Sequence, residues 1–474
     1  MSARHLVCAF TKHGFSKPCF FICRIFVGKF EHLSIFNSVT SAVPENSSRP
    51  IRLLVVVNVV RPDLGGGVLF SDLFEGLVER GIHVTVKCAY SYYPEWEDKS
   101  GKNGLHIESV IESGVHVERH GLYIPRNPNN FLQRLLYEAS FFLSLRRRMP
   151  AHGEFDAIMV FCPLIGSVAY ATAVKSNLNV PLWLNVQDLS AQAAVAGGIT
   201  GRSMVADILL RVQNRLFGHA DLWTSISEPM IQALEKHNPN KIPVRYAPNW
   251  LHPSLAGFIE SALQSRAQSS DTVLTSGTKE KVIRLFYSGN IGSKQNLLQF
   301  CKQLSRLPIQ FSFRIQGAGG RVAELKKWIE STSDDRFVLF PLSDEESLAR
   351  TLVECDYYVI TEKPDSGNSF IPSKLIPAIT SRTPVLAVCD VDSPLGKEMR
   401  DHRLGSVLDW DSLSGPTDLR ATLERAMIPD DAYSRWQNNC ANRAQFYNRE
   451  AAIDRYVSIL AELLAGKEDK TASS

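Results

Sequence analysis

The sequence is short of the features that mark several protein classes. No apolar run approaches the roughly 18 residues that a membrane-spanning helix needs. The nine cysteines form no pair of C-x-x-C motifs, which argues against a zinc site. Cys88, Cys162, Cys355 and Cys389 instead stand inside strand-like apolar runs, the pattern of buried thiols in a reducing compartment. A net charge of +3 is too small to mark a nucleic-acid binder. The glycine-rich junctions match neither G-x-G-x-x-G nor G-x-x-x-x-G-K-[ST], which disfavours a dinucleotide cofactor.

What remains is an ordinary globular composition, 44% hydrophobic and 21% charged over 474 residues, long enough for two or three domains. The first 50 residues differ from the rest. They are basic, with Glu31 and Glu45 the only acids, and their apolar run CFFICRIFV has no small-residue cleavage site after it. Residues 1–50 are therefore expected to be an extension outside the fold.

From Ile51 the chain alternates strand and helix signals. IRLLVVVNVV is a continuous β-branched run, as in a parallel strand buried on both faces. HVTVKCAY, VHVERHGLYI, AIMVFC, LWLNVQD, LWTSIS and VRYAPNW follow, separated by helical patterns. Residues 257–281 turn Ser-, Thr- and Gln-rich and are expected to form a linker or exposed insertion. The rhythm then restarts with IRLFYSG, IQFSFRIQG, RFVLFPL, DYYVIT and TPVLAVC. The expectation is α/β: two doubly wound, Rossmann-like domains, 51–256 and 282–448, facing across a cleft. Residues 449–474 read as a C-terminal helix and tail packing back on the first domain.

Doubly wound sheets bind ligands at the carboxyl ends of their strands, so the strand-end loops carry the candidate chemistry. Gly65, Gly66 and Gly67 lie between a strand and a helix, where glycine permits close backbone approach and a helix start favours anions. Tight βα turns also use glycine for steric reasons alone. In LFYSGNIGSKQNLLQF, Gly289 and Gly292 flank Asn290, and Lys294 is placed in the first turn of the following helix. A cation at that positive end opposes the usual bias, which makes sense beside a bound anion and otherwise leaves a solvated lysine. In SFIPSKLIPAI, Pro372, Ser373 and Lys374 open a helix, with Ser373 as a candidate cap. Two lysines at strand-to-helix junctions of one domain suit a diphosphate. Gln187 and Asp188 end a first-domain strand. Asp188 can orient or deprotonate a hydroxyl, or cap the next helix. FLQRLLYEASFFLSLRRRMP, residues 131–150, has helical apolar spacing and ends in Arg146, Arg147 and Arg148. It fits either an anionic membrane surface or a packed helix whose arginines offset its dipole.

Taken together, PDLGGG, the SYYPEW region, LWLNVQDLSAQAAVAGGI, SISEPM, YAPNW, YSGNIGSKQNL, FPLSDEESLARTL and IPSKL resemble family-4 glycosyltransferases, particularly the colanic-acid and capsule branch. The resemblance runs from about Ile51 to Val407. It implies a GT-B fold with no required metal or cofactor, retention of anomeric configuration, and a nucleotide-diphosphate sugar as donor. It places Lys294 and Lys374, with Gly289, Asn290, Gly292, Ser373 and Leu375, around the donor, Gly65–Gly67 near its phosphate or sugar, and Asp188 near the transferred sugar. It further implies a lipid-linked oligosaccharide acceptor in exopolysaccharide, capsule or O-antigen assembly. Localisation would be cytoplasmic, with peripheral contact at the inner membrane face through residues 131–150. One departure counts against activity: the family's paired glutamates fall on Ser369 and Pro377, and the nearest acids are Glu362 and Asp365. A catalytically silent binding subunit and a sugar-nucleotide epimerase of GT-B type are the alternatives.

Overall fold

The computed structural model describes residues 49–472 apart from 64, 103, 105, 129, 163, 188–203, 237, 271–281, 365–370, 415 and 428–430. The expected extension thus lies outside the described residues, except for its last two. Pro50–Ser474 forms one compact unit built around two sheets.

The first domain opens with β1 (Arg52–Val56), α1 (Gly66–Glu79) and β2 (His83–Ala89), then a hairpin of β3 (Ile107–Glu112) and β4 (Val115–His120). α2 (Phe131–Arg146), β5 (Ala157–Cys162), α3 (Ile165–Leu178) and β6 (Leu182–Val186) follow. α4 (Met204–Phe217), β7 (Leu222–Ser225), α5 (Glu228–Lys236) and β8 (Val244–Tyr246) complete its sheet. The strand order is β3-β4-β2-β1-β5-β6-β7-β8, parallel except where β3 meets β4. β3 is an edge strand that the sequence pattern hides, because most of its side chains face solvent. Ser113 (φ 49°) and Gly114 (φ 80°) make the tight turn that returns the chain into β4, since positive φ at both turn positions matches the strand twist.

The second domain follows α6 (Pro253–Ser270). It runs through β9 (Ile283–Asn290), α7 (Leu297–Leu304), β10 (Phe311–Ala318), α8 (Val322–Thr332), β11 (Phe337–Phe340) and α9 (Glu345–Glu354). Then come β12 (Tyr357–Thr361), α10 (Leu375–Thr380), β13 (Val385–Val388), α11 (Pro394–His402) and β14 (Gly405–Leu408). α12 (Pro416–Glu424), α13 (Asp431–Ala444) and α14 (Arg449–Ala472) end the chain. The sheet order is β11-β10-β9-β12-β13-β14 with every pairing parallel, the doubly wound arrangement of a dinucleotide-type fold.

Both domains start with the same device. Arg52 donates from its backbone N and guanidinium to Asp156, and Arg284 does so to Asp356, at 2.8–3.3 Å. Each bidentate pair pins the first strand of a sheet to the strand beyond its switch point. Alternate residues of β1 feed opposite layers, Leu54 and Val56 one cluster, Leu53 and Val55 the other, as the period of two requires.

Residues 257–270 do not form a linker or insertion but continue α6. Leu255 and Ile259 are buried against Phe286, Leu352 and Tyr358, with Ala262 and Leu263 beside them. That spacing puts one narrow apolar stripe inward and leaves the Ser and Gln residues to solvent. Residues 271–281 of that expected segment lie outside the described residues.

α14 returns to the first domain. Ile453, Tyr456, Leu460 and Leu463 join the cluster of Leu53, Met159 and Trp183, and the Tyr456 ring stacks on Trp183 with centroids 5.4 Å apart. Arg449 Nε donates to Asp72 at 2.8 Å, and Arg80 pairs with Glu450 and Asp454. Among the described residues, no helix is long and apolar enough to cross a membrane.

Candidate functional site: a cleft between two switch points

Each sheet has a switch point among its parallel strands, between β1 and β5 and between β9 and β12. The loops that leave the carboxyl ends of these strands meet around a cavity of about 780 Å³, the size of a typical small-ligand site. Gly65, Gly66, Gln187, Asn249 and His252 line it from the first domain and the junction. Gly289, Asn290, Lys294, Glu362, Ser373 and Lys374 line it from the second.

Lys374 is the centre of the second-domain wall. Its Nζ donates to Tyr287 Oη at 2.9 Å and lies 4.1 Å from the centre of that ring. Tyr287 in turn donates to the Asn290 carbonyl, which fixes the end of β9. Burial pulls the Lys374 amine down to about 8, with Glu362 partly countering it. Gly289 has φ 127°, and a Cβ there would stand 3.3 Å from Lys374 Nζ. The glycine is thus required twice, by its backbone and by the amine beside it.

Glu362 follows β12. Burial pushes its carboxyl up to about 7, against the pull of Lys374 and Lys294 and with a push from Asp390. Its backbone is clamped on both sides, by Val388 O at 2.9 Å from its N and by Trp410 Nε1 at 2.6 Å from its O. Among the described residues its Oε2 is buried without a hydrogen-bond partner, and so are Asn249 Oδ1 and His252 Nδ1, the latter 4.0 Å from Glu345 Oε1. All three residues line this cavity. Buried polar atoms are rarely orphaned, so three around one void mark a surface shaped for a polar ligand. On the first-domain side, Asn249 Nδ2 donates to Gln187 at 3.2 Å, Gln187 to Asn185 at 2.6 Å, and Asn185 to Tyr456 Oη at 2.8 Å. A hydrogen-bonded line therefore runs from the cavity to α14.

The residues singled out from the sequence do not all converge. Lys294 lines the cavity but precedes α7 by three residues, so it is not in that helix's first turn. The Gly292 amide is closed by Gln295 Oε1 at 3.0 Å and Asn296 adopts φ 49°, which delays the helix start. Gly292 itself faces a different, smaller cavity beside Arg321. Lys374 is the residue preceding α10, and Ser373 makes no cap. Leu375 is fully buried in the core behind the cavity rather than on its wall, because it faces the sheet side of α10. Gly67 is buried too, its absent Cβ leaving room for Asp63 and the Val60 carbonyl at 3.0–3.1 Å. Asp188 lies outside the described residues, as do Asp365 and Ser369. Pro377 lines the cavity. Asn249 and His252 escape a reading of strand-end loops because they sit where the chain passes between domains.

Residues 65–250 match the glycosyl transferase 4-like domain. Among solved structures, sucrose-phosphate synthase from Thermosynechococcus elongatus is similar with a TM-score of 0.62 at 15% identity, covering 88% of this chain and 100% of that one. Anabaena Alr3699/HepE, solved in complex with UDP-glucose, gives 0.58 at 14% identity over 87% and 100%. WaaG, a glycosyltransferase involved in lipopolysaccharide biosynthesis, gives 0.55 at 13% over 86% and 99%. Comparison with the sequences of curated proteins finds no match. Two parallel-sheet domains meeting at their carboxyl edges, shared with these structures, define a GT-B fold. Its first domain, residues 65–250, is of the glycosyl transferase 4-like type.

Proposed function

We propose that the protein moves a sugar from a nucleoside-diphosphate sugar to a lipid-linked oligosaccharide, with retention of anomeric configuration and without a metal, in exopolysaccharide, capsule or O-antigen assembly. The observation that carries the donor half is Lys374, a half-buried amine with one hydrogen bond among the described residues, facing a cavity ringed by orphaned polar atoms. As the bond from the anomeric carbon to the diphosphate breaks, its electron pair passes to the departing oxygen. Lys374, with Lys294 at the mouth, stabilises that charge where it develops. Gly65 and Gly66 let the first-domain backbone close on the donor, and Asp188 orients the acceptor hydroxyl. Anabaena HepE was solved with UDP-glucose, so uridine nucleotides head the list of donors to test.

The acceptor half has its support in α2. Leu132 and Leu143 are 67% and 63% exposed, with Leu135 and Leu136 also outward, and Arg146, Arg147 and Arg148 follow at the helix end. Exposed leucines beside a basic cluster suit peripheral contact with an anionic cytoplasmic membrane face. Thermal shift against nucleoside diphosphates tests the donor site, since a ligand that binds only the folded state must raise stability. No response to any of them overturns the reading. Incubating the stabilising sugar nucleotide with and without a membrane lipid extract tests the transfer. Sugar consumption that is independent of lipid would instead indicate an epimerase.

A further inference from the structure

The second domain carries another large cavity, about 890 Å³, beside the edge strand β14 and between α11, α12 and α13. It shares no lining residue with the cleft. Its walls hold Arg400, Arg403, Arg425, Arg435 and Arg443, and the acid among the lining residues is Asp401. Two of the arginines are spoken for: Arg443 is bound to Glu398 at 2.6 and 3.1 Å, and Arg400 lies 3.4 Å from Asp392. Among the described residues, Arg403, Arg425 and Arg435 have no carboxylate within ion-pair distance. Burial lowers the pKa of His402, with Glu398 partly countering it.

The geometry around these guanidinium groups is built rather than incidental. Arg403 holds a left-handed backbone, φ 51°, at the end of α11, and its carbonyl accepts from Asn439 Nδ2 at 3.1 Å. Arg435, Asn439 and Asn442 recur at helical spacing on the face of α13 that lines the groove, which adds neutral donors to the cationic ones. Arg425 lies 5.5 Å from the centre of the Trp436 ring, so its guanidinium is held against the floor. Arg403, Arg425 and Arg435 are exposed, and like charges gathered in one concavity repel. An anion with several oxygens relieves that repulsion, and planar guanidinium forks match phosphate oxygens in particular. The chain's own first 50 residues, with Glu31 and Glu45 as their acids, are basic and would not supply it.

We propose that this groove is a second, non-catalytic anion site that takes a phosphate-bearing ligand, through Arg403, Arg425 and Arg435. The phosphate can belong to a soluble di- or triphosphate or to an anionic lipid headgroup. The test uses the full-length protein and inorganic tripolyphosphate in titration calorimetry. Lys374→Met removes one of the two cleft lysines and should leave groove binding in place. Arg403→Gln with Arg435→Gln, both exposed and so compatible with folding, should weaken it at least about tenfold and flatten its salt dependence. A circular-dichroism melt checks that the double variant is folded. Sedimentation with phosphatidylglycerol vesicles separates the sources: vesicle binding lost in the double variant assigns a lipid headgroup, and vesicle binding that ignores it assigns a soluble phosphate. Tripolyphosphate binding unchanged in the double variant, abolished by Lys374→Met alone, or absent from the wild-type protein overturns the proposal.

Discussion

Replacing Lys374 by Met tests the donor site most directly, because it removes the charge and keeps the stem. Burial pulls the amine from its ordinary 10.5 to about 8, so holding the charge there costs roughly 3 kcal/mol. Against that stand the hydrogen bond to Tyr287 and the ring beneath the amine, worth about 1 kcal/mol and about 1–2 kcal/mol. The free protein should therefore change in stability by less than about 2 kcal/mol, with a gain the expected sign. Binding should respond very differently. A charged contact to a diphosphate in a partly dry cavity is worth about 2–4 kcal/mol, or about 30- to 1,000-fold in affinity. Where wild-type protein at about 100 times Kd gains about 2.7 kcal/mol from the nucleoside diphosphate, the variant should gain less than about 1 kcal/mol at the same concentration. Chemical denaturation with and without ligand measures both quantities. A variant that is as stable as wild type and still shows the full ligand gain would refute the placement of the diphosphate on Lys374.

Gly289→Ala must adopt φ 127° with its Cβ 3.3 Å from Lys374 Nζ. It should cost about 1–2 kcal/mol in urea denaturation and weaken diphosphate binding as well. Diphosphate affinity should fall as pH rises from about 7 to about 8, because Glu362 becomes an anion while Lys374 loses its proton. Calorimetry on Glu362→Gln should show only the second step. In the unliganded protein the two groups have opposite effects. The raised Glu362 pKa contributes stability present at low pH and lost as pH rises through about 7, whereas the lowered Lys374 pKa contributes stability present above 10.5 and lost as pH falls through about 8. Ile259→Ala empties a site that is 1% exposed under α6 and should lower stability by about 2–4 kcal/mol; a near-zero change would mean that α6 does not seal the second domain.

The alternating strands were legible because a parallel strand covered on both faces must be apolar at nearly every position, as Leu53–Val56 and Tyr357–Ile360 are. α6 was not, since its contact with the core needs only Leu255, Ile259 and two partly buried neighbours, Ala262 and Leu263, and its solvent face has the composition of a linker. Gly289 and Lys374 could be picked out from local pattern, each being odd for its position unless an anion is near. Asn249 and His252 could not. Their side chains reach the cavity only because Trp250 between them is buried and donates to Asp72 at 2.7 Å, a contact across 178 residues. Leu375 erred the other way: a motif lists consecutive residues, while a helix turns every fourth one toward the same side.

The return of α14 has a consequence for how the chain is made. The first domain's hydrophobic layer contains Leu53 near its beginning and Ile453, Tyr456 and Leu460, all at most 1% exposed, near its end. A ribosome therefore releases the first sheet long before the helix that covers it. Until then the layer over Trp183 stays open, and apolar surface that the finished chain covers faces solvent. The second domain has its own sheet and clusters and can finish first, reversing the order of synthesis. A fragment ending near Leu251 should bind a hydrophobic dye that the full chain excludes, and adding the α14 peptide in trans should displace it.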